Sequence, residues 1–397
     1  MVSWQQRARA LADDLTALGA LDLAWREAFE QVPRHVFVPR FYQPDGTLIE
    51  GADPDARDEW LDAVYRDDSL TTQRLVEPGS GRIVPTSSST RPSLMALMLR
   101  MLDVRDGHSV LEIGTGTGYN AALLAYRLGD HRVTSIDIDP DLVEAARIAA
   151  HRIGLAPYLV AGEGDKGVPE RAPFDRVLAT CAVPTIPTQW VAQLADRGII
   201  VADLRAATSS SLVTLHRTAE GIATGRFHPT PGYFMWLRPR ADDPRRDEQE
   251  SNFIYDHTAS RHSTTWLDPA LLAEPGLGLM VAASVPDLIQ SVTFADPLTY
   301  GLRARDGSWA KVDKDSNDVV QSGQRSVWNE IEAAALHWER LGRPEPSRFG
   351  LTVSTDNGQQ VWFDDPDGHQ VRVQESETNW GCDVRSHVVS DDVEEVG

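Results

Sequence analysis

The sequence predicts an α/β protein organised on an open, doubly wound sheet of the Rossmann-like type. The first observation is that residues 110–139, VLEIGTGTGYNAALLAYRLGDHRVTSIDID, read as strand, glycine turn, helix and second strand. The second is that strand and helix patterns keep alternating to about residue 204. Alternation of this kind is typical of helices packed on both faces of a mainly parallel sheet.

The turn from Gly114 to Gly118 carries three alternate glycines, between an apolar run and a helix predicted over 119–128. Glycine allows positive φ and lets the backbone approach a ligand, and the first N–H groups of the helix point into the same space. The next strand, 132–136, is followed by Asp137, near the offset of about 20 residues at which an acid meets ribose hydroxyls. This pattern predicts a nucleoside cofactor, with a purely structural turn as the alternative.

The residues before this turn are predicted to form an N-terminal arm. Residues 1–29 have the spacing of an amphipathic helix, 32–42 indicate an extended connector, and 43–60 are turn-rich and indicate a surface insertion. The hydroxyl cluster from Thr86 to Thr90 is predicted to be a polar loop that leads into a buried helix at 93–102. Ordinary loop or N-cap chemistry is the alternative explanation for such a cluster.

Beyond Asp139 the alternation continues. The pattern predicts a helix ending at Gly154, a strand from 158, a strand at 176–180, a helix from Thr188 to a stop at Gly198, and a strand at 199–204. Two further segments, 211–218 and 222–237, are predicted to complete the sheet as an antiparallel pair.

The C-terminal part has a different character. Residues 238–250 are a charged, proline-containing linker candidate, an amphipathic helix is predicted from Ser326, and a hairpin is predicted around Asn357. Seven of the eleven tryptophans lie at or after Trp236, which predicts a separate aromatic core or a peptide-binding face, with core the expectation for most of them.

Composition excludes several classes of function. The net charge of −21 opposes non-specific binding to nucleic acid. No stretch has the length and apolarity of a membrane span or the form of a signal peptide, so we expect a cytoplasmic protein with no membrane contact. Only Cys181 and Cys382 are present, which gives no disulfide framework, and no metal site is predicted.

Several segments together resemble the protein L-isoaspartate (D-aspartate) O-methyltransferase family, in the family's order over roughly residues 25–215. They are VPRHVFVP, AVYRDDSL, SSTRPSLMALMLRML, VLEIGTGTGYNAALLA, GEGDKGVPERAPFDRV and CAVPTIPTQWVAQLADRGIIV. The resemblance implies a class I methyltransferase fold and the cofactor S-adenosylmethionine. Three features depart from the family pattern: Thr90 stands where serine is usual, Glu163 where aspartate is usual, and some 150 residues follow the methyltransferase region.

The resemblance also implies site residues. Expected to act on the substrate carboxylate are Thr90 and Ser89, with Arg91, Ala182 and Val183 as substrate-binding positions. Expected around the cofactor are Glu112, Gly114, Thr115, Gly116, Gly118, Asp137, Ile138, Glu163 and Gly164. A carboxylate has a pKa near 4 and is already ionised at pH 7, so no general base is expected.

These features predict four regions: an N-terminal helical arm with the substrate-site loop at 1–105, the methyltransferase core at 106–237, an α+β extension at 251–382 as a candidate peptide-recognition region, and an acidic tail at 383–397. Extended chains resemble family members that esterify an aspartate of a dedicated, ribosomally made and macrocyclised peptide, which then forms an aspartimide. The expected partner is therefore a peptide or protein with an aspartyl or isoaspartyl residue. The alternatives are a general L-isoaspartate repair enzyme and a non-catalytic peptide-binding module with the same fold.

Overall fold

The computed structural model describes residues 2–76, 81, 83–238, 260–285, 287–295, 298–366, 370–373 and 382–383, with the backbone alone for 290–295, 298, 370–373 and 382–383. The chain divides into two compact units. The first comprises residues 1–205, 210–253 and 353–357, and the second comprises residues 206–209, 254–352 and 358–397.

The first unit is built on a sheet whose central strands are parallel. The strands are β5 (Val110–Ile113), β6 (Val133–Asp137), β7 (Tyr158–Ala161), β8 (Phe174–Val183), β9 (Leu194–Arg205), β10 (Ser210–Ala219) and β11 (Ile222–Phe227). Their order is β11-β10-β9-β8-β5-β6-β7, parallel from β9 to β7 and antiparallel at β9–β10 and β10–β11. The strand order reverses between β5 and β8, the place where doubly wound sheets bind ligands.

The helices of this unit pack on the sheet, on one another or on the strands N-terminal to the glycine turn. They are α1 (Trp4–Ala17), α2 (Leu23–Gln31), α3 (Arg34–Phe37), α4 (Arg57–Val64), α5 (Pro92–Met101), α6 (Tyr119–Leu128), α7 (Pro140–Arg152) and α8 (Thr188–Ala192). The N-terminus of α1 has a capping box between Ser3 and Gln6, and the Asp139 carboxylate caps the N-terminus of α7. The fold class predicted from the sequence is confirmed.

A second, antiparallel sheet lies N-terminal to the glycine turn. It contains β1 (Arg40–Tyr42), β2 (Leu48–Glu50), β3 (Leu70–Val76) and β4 (Ile83–Ser89), in the order β2-β1-β3-β4. Within the described residues β4 is therefore an edge strand, and Thr90 follows it directly. This sheet was not anticipated from the sequence.

The second unit has its own α+β core. A five-stranded sheet has the order β12-β16-β15-β14-β13, and further strands β17 to β20 pair in sequence order. The bounds are β12 (Arg261–Thr264), α9 (Pro275–Ser284), β13 (Leu288–Ala295), β14 (Leu298–Ala304), β15 (Trp309–Asp313), β16 (Asp318–Ser322), α10 (Val327–Arg340), β17 (Phe349–Ser354), β18 (Gly358–Phe363), β19 (Gln370–Val373) and β20 (Cys382–Asp383). Four tryptophans of this unit are buried, namely Trp309, Trp328, Trp338 and Trp362, so core is the correct interpretation for them.

Several local predictions were wrong. The expected N-terminal helix is two helices, and the connector 32–42 contains α3, whose Arg34 is buried and hydrogen-bonded. The insertion 43–60 contributes β2 and the start of α4. The expected polar loop at 86–90 is largely strand β4, because pairing with β3 satisfies its backbone.

Two boundaries on the sheet also differ. The helix from Thr188 ends at Ala192, and β9 already begins at Leu194, where a positive φ of 61° at Arg197 interrupts its regular pairing. The strand predicted at 222–237 ends at Phe227, and the chain then turns back toward β8. The linker at 239–250 and the tail from 384 lie outside the described residues.

Candidate active site

A cavity of about 270 Å³ lies at the carboxyl ends of β5, β6 and β8, at the point where the strand order reverses. Its walls include the ends of these strands and three further segments: the glycine turn, the end of β4 with Thr90, and residues 232–238. The sequence places these segments far apart. They meet because β8 holds the last of them, since the Ala182 N–H donates to the Met235 carbonyl at 2.8 Å and the Leu237 N–H donates to the Ala182 carbonyl at 2.8 Å.

The glycine turn has the backbone that the sequence predicted. Gly114, Gly116 and Gly118 have φ values of +98°, +51° and +83°, a region that side-chain-bearing residues rarely adopt. A Cβ on Gly114 would lie 2.9 Å from Thr180 Oγ1, and one on Gly118 would lie 2.6 Å from the Ala146 Cβ. A Cβ on Gly116 would lie no closer than 3.6 Å to any atom, so the space between this residue and β4, on the side of the cavity, is open.

Asp137 ties the second strand to this turn. Its Oδ2 accepts a hydrogen bond from the Gly116 N–H at 2.9 Å, and its Oδ1 accepts one from the Asp139 N–H at 3.1 Å. The Arg238 guanidinium lies 3.4 Å from the same Oδ1. The Asp137 carboxylate is thus held at the tip of β6, facing the cavity that it lines.

Glu112 forms a buried polar network beneath the cavity. Its two carboxylate oxygens accept hydrogen bonds from Asn120 Nδ2 at 2.7 Å and from Ser135 Oγ at 2.6 Å, and Ser135 also contacts Thr115 Oγ1 at 2.7 Å. Burial raises the pKa of Glu112 to about 7, although the two hydrogen bonds act in the opposite direction. These hydrogen bonds fix the start of α6 and the turn. Glu112 also lines the cavity, so its predicted contact with a cofactor stays a prediction.

The hydroxyls of β4 and Thr90 form the opposite wall. The Thr86 hydroxyl donates to Gln73 Oε1 at 2.8 Å, and Gln73 Nε2 donates to Asp139 Oδ2 at 3.0 Å, so β3 and β4 are tied to the end of β6. Among the residues that the structure describes, the hydroxyls of Ser88 and Thr90 have no hydrogen-bond partner, although both residues line the cavity.

Ser89 lines the cavity, but its side chain faces the interior. It is 2% exposed, and its Oγ accepts hydrogen bonds from Arg34 Nε and Nη2, both at 3.2 Å. The expectation that Ser89 acts directly on the substrate is therefore replaced by a supporting role. Thr90 also lines the cavity, and its contact with a substrate stays a prediction.

Other predicted site residues lie elsewhere. The N–H and carbonyl of Ala182 are bonded to the 235–237 segment, so they are not available to a substrate carboxylate. Val183 is buried opposite Leu204 in the sheet, and neither residue lines the cavity. Arg91 is exposed at the start of α5. Glu163 pairs with Lys166 and does not line the cavity, whereas Gly164 and Ile138 do.

Sequence reasoning missed four contributors: Arg34, Gln73, Asn120 and the segment 232–238. Arg34 stands inside VPRHVFVP, a segment quoted only for its resemblance, and Asn120 directly follows the glycine turn. The available signal for Arg34 was a charged residue, next to His35, in an otherwise apolar signature. No local pattern marks 232–238, because its position depends on pairing with β8.

The comparisons with known proteins agree with this geometry. The family model for protein-L-isoaspartate(D-aspartate) O-methyltransferase matches residues 56–228. A protein-L-isoaspartate O-methyltransferase 2 of Archaeoglobus fulgidus is 32% identical over 202 residues, covering 50% of this chain and 79% of that protein. The chain belongs to the protein-L-isoaspartate O-methyltransferase family. A relative of the same name in Methanoculleus marisnigri is 31% identical over 242 residues, 59% of this chain and 92% of that one.

A solved structure titled protein-L-isoaspartate O-methyltransferase aligns with a TM-score of 0.54 and 21% identity, covering 90% of this chain and all of its own. This likeness shows the fold, and it extends well past the part that the two sequence relatives cover. Membership of the protein-L-isoaspartate O-methyltransferase family makes the chain an S-adenosylmethionine-dependent methyltransferase. The glycine cradle, the acid at the β6 tip and the cavity fit that cofactor.

Within the described parts of the chain, no cluster of His, Cys, Asp and Glu side chains has the arrangement of a metal site. No helix among the described residues combines the length and hydropathy needed to span a membrane.

The raised pKa of Glu112 generates a stability prediction. Between pH 4.5 and about pH 7 the Glu112 carboxyl is protonated in the folded protein. In the unfolded chain, where its pKa has the ordinary value of 4.5, the same carboxyl is ionised. This contribution to stability is complete below pH 4.5 and is lost as the pH rises to 7. We expect Glu112→Gln, whose amide can donate to Ser135 Oγ, to become more stable than the parent across this window, by up to about 3 kcal/mol.

Thermal unfolding of both proteins at pH 5 and pH 8, without cofactor, measures this effect. The exposed Glu220→Gln serves as the control and should show no pH-dependent difference from the parent. An equal difference in Tm between Glu112→Gln and the parent at the two pH values would contradict the assignment of a raised pKa.

Proposed function

We propose that S-adenosylmethionine lies along the glycine turn, with its ribose hydroxyls on the Asp137 carboxylate and its methyl group directed toward Thr90. The support is geometric. Gly116 leaves the turn open on the cavity side, Asp137 is held at the tip of β6, and Thr90 lies in the wall formed by β4. The first N–H groups of α6, which has no side-chain cap, face the same region.

When bound, S-adenosylmethionine supplies an electrophilic methyl group on a sulfonium. A carboxylate oxygen of the substrate forms the new C–O bond to that methyl carbon while the C–S bond breaks, and S-adenosylhomocysteine leaves. One negative and one positive charge disappear and no proton is transferred, so a general base is not required. The protein has to orient the two groups and exclude water from the ionised carboxylate, effects that are worth several kcal/mol.

Thr90 is the residue we assign to the carboxylate. Its hydroxyl has no partner among the described residues, it lines the cavity, and its backbone is held by Arg34 through the Thr90 carbonyl at 3.1 Å. This hydroxyl, unpartnered among the described residues, belongs to a residue that lines the same cavity as the glycine turn, and that observation carries the proposed function.

The substrate is proposed to be an extended peptide. β4 is an edge strand within the described residues and leads directly to Thr90. An edge strand presents N–H and C=O groups that can pair with another extended chain. A peptide aligned in this way would bring one side-chain carboxylate to Thr90.

We further propose that this peptide is a dedicated one, ribosomally made and macrocyclised, whose aspartyl ester closes to a succinimide with loss of methanol. Support comes from the second unit, which has a core of its own and is not needed for the chemistry of methyl transfer. It exposes Trp266, which is 55% accessible, and the four side chains of β12. Such a unit would supply contacts remote from the reacting carboxylate, which a general enzyme does not require.

General repair of L-isoaspartyl proteins is the second candidate. The observation that favours it is the solved structure of the same family name, whose alignment reaches into the C-terminal part of this chain. A C-terminal extension therefore does not by itself identify a dedicated substrate. A non-catalytic peptide-binding role would require that the cofactor site be inactive.

Asp137→Ala should weaken the binding of S-adenosylmethionine by about 1 to 3 kcal/mol, because one or two hydrogen bonds between ribose and a charged acceptor are lost. Isothermal titration calorimetry measures the change. Asp141→Ala, four residues along the chain and exposed, is the matched control and should bind as the parent does. Equal affinity of Asp137→Ala and the parent would refute this placement of the cofactor.

Thr90→Val keeps the shape of the side chain but removes its hydroxyl, and we expect turnover to fall roughly tenfold to a hundredfold, as for a lost hydrogen bond to a charged group. Cofactor affinity should stay at the parental value. Thr90→Ser retains the hydroxyl and should retain turnover. Steady-state kinetics with an aspartyl or isoaspartyl peptide test this, and parental kcat in Thr90→Val would assign the carboxylate to another group.

The substrate itself is tested by mass spectrometry. Incubation with S-adenosylmethionine and a macrocyclised, aspartate-containing precursor peptide should add 14 Da and then remove 32 Da as methanol leaves. A generic isoaspartyl peptide should react far more slowly. Efficient methylation of the generic peptide without reaction of the precursor would establish general repair instead.

A further inference from the structure

Arg34 is fully buried, and the backbone surrounds its guanidinium. Nη1 donates to the carbonyls of Val64 at 2.8 Å and Arg66 at 3.1 Å. Nη2 donates to the carbonyls of Asp68 at 3.0 Å and Thr90 at 3.1 Å, and Nε donates to the Ser89 hydroxyl at 3.2 Å. The planar fork thus joins the segment 64–68 to the end of β4, a geometry that a lysine cannot reproduce.

The charge of this guanidinium has no direct counterpart. Within the described residues no carboxylate lies within ion-pair distance of Arg34, whose acceptors are carbonyl and hydroxyl oxygens. Burial lowers the pKa of Arg34 to about 10, which nearby groups including Tyr119 and Asp67 offset only in part. At neutral pH Arg34 therefore remains a cation. Burying a charge without an ion-pair partner destabilises the folded state, so we expect a functional reason for this residue.

The position of this cation indicates its use. Both residues that it holds at the end of β4, Ser89 and Thr90, line the cavity. So does Tyr119, whose ring centre lies 6.0 Å from the guanidinium carbon. Little water separates Arg34 from the cavity wall, because its side chain is 0% exposed, and charges interact more strongly in such surroundings than in bulk water.

We propose that Arg34 is a positioning residue that fixes Thr90 and supplies, from behind it, the positive charge that selects an ionised carboxylate. This rests on the proposed function and names how that site recognises its substrate. The attraction acts on the carboxylate before methyl transfer and vanishes with the charge in the neutral ester. Arg34 therefore favours the bound acid over the ester and assists release of the product.

This role predicts a distinctive division of kinetic effects. The carboxylate loses charge on the way to the transition state, so the cation stabilises the bound substrate at least as much as the transition state. Removing the charge of Arg34 should then raise KM for the peptide. Displacing the Thr90 hydroxyl, which Arg34 holds through the backbone, should lower kcat.

Arg34→Met and Arg34→Lys separate these contributions. We expect Arg34→Met to raise KM for the peptide at least tenfold, with the Kd for S-adenosylmethionine within twofold of the parental value. Arg34→Lys keeps the charge and should retain more of the substrate affinity while kcat falls. Arg9→Met, which removes an exposed cation of α1 outside this network, is the control and should behave as the parent does.

A binding comparison isolates the charge. The parent should bind the carboxylate peptide at least tenfold more tightly than the same peptide with the carboxylate replaced by its amide, and Arg34→Met should lose this preference. A purely structural role would leave the ratio unchanged, and that result would overturn the proposal. An unchanged KM in Arg34→Met, with parental cofactor affinity, would overturn it as well.

If Arg34→Met does not fold, Arg34→Gly with added guanidinium ion decides the question, because the ion can occupy the vacated site. Restored preference for the carboxylate peptide over its amide supports the proposal, whereas turnover that returns without this preference, or does not return, overturns it. Failure of the proposed function is recognised separately, because the parent itself would then methylate neither the precursor nor an isoaspartyl peptide.

Discussion

The turn between β5 and α6 can exist only because three of its residues lack a side chain, and the rest of the site depends on that turn. Gly114 and Gly118 are packed so closely against Thr180 and Ala146 that a Cβ would overlap with them. Gly116 has open space where a Cβ would stand, and its N–H donates to the Asp137 carboxylate. The contacts of Gly114 and Gly118 with their neighbours thus fix the turn, and the space beside Gly116 remains open and could hold a nucleoside.

Charge is distributed around this cavity in a way that suits methyl transfer to a carboxylate. Asp137 and the Glu112 network lie on the side of the sheet, while the cation of Arg34 lies behind Thr90 on the opposite wall. Because the reaction cancels a positive and a negative charge, weakly hydrated surroundings favour it, and a buried cation near the nucleophile selects the ionised form of the substrate. The protein has no need of an acid–base pair.

The second unit sets this chain apart from the sequence relatives that match about half of it. Its four buried tryptophans account for most of the aromatic excess that the sequence shows, so that excess reflects a core more than a binding surface. Among the described residues of this unit, Trp266 and the side chains of β12 are exposed and could contact a peptide. The alignment of a solved family structure with most of the chain shows that an extension of this kind is compatible with the common fold.

The sequence by itself determined the alternation of strands and helices, the positive φ of the glycine turn, the acid at the end of β6 and the family. These are local features, because periodicity and backbone freedom act over a few residues. Only the tertiary structure decided that 83–89 is an edge strand, that Ser89 turns away from the cavity, and that Ala182 is occupied by 235–237. Each of these depends on hydrogen bonds between segments far apart in the chain. Arg34 shows the limit most clearly, since its five donors are satisfied by segments 30 to 56 residues away, and no local pattern encodes such a meeting.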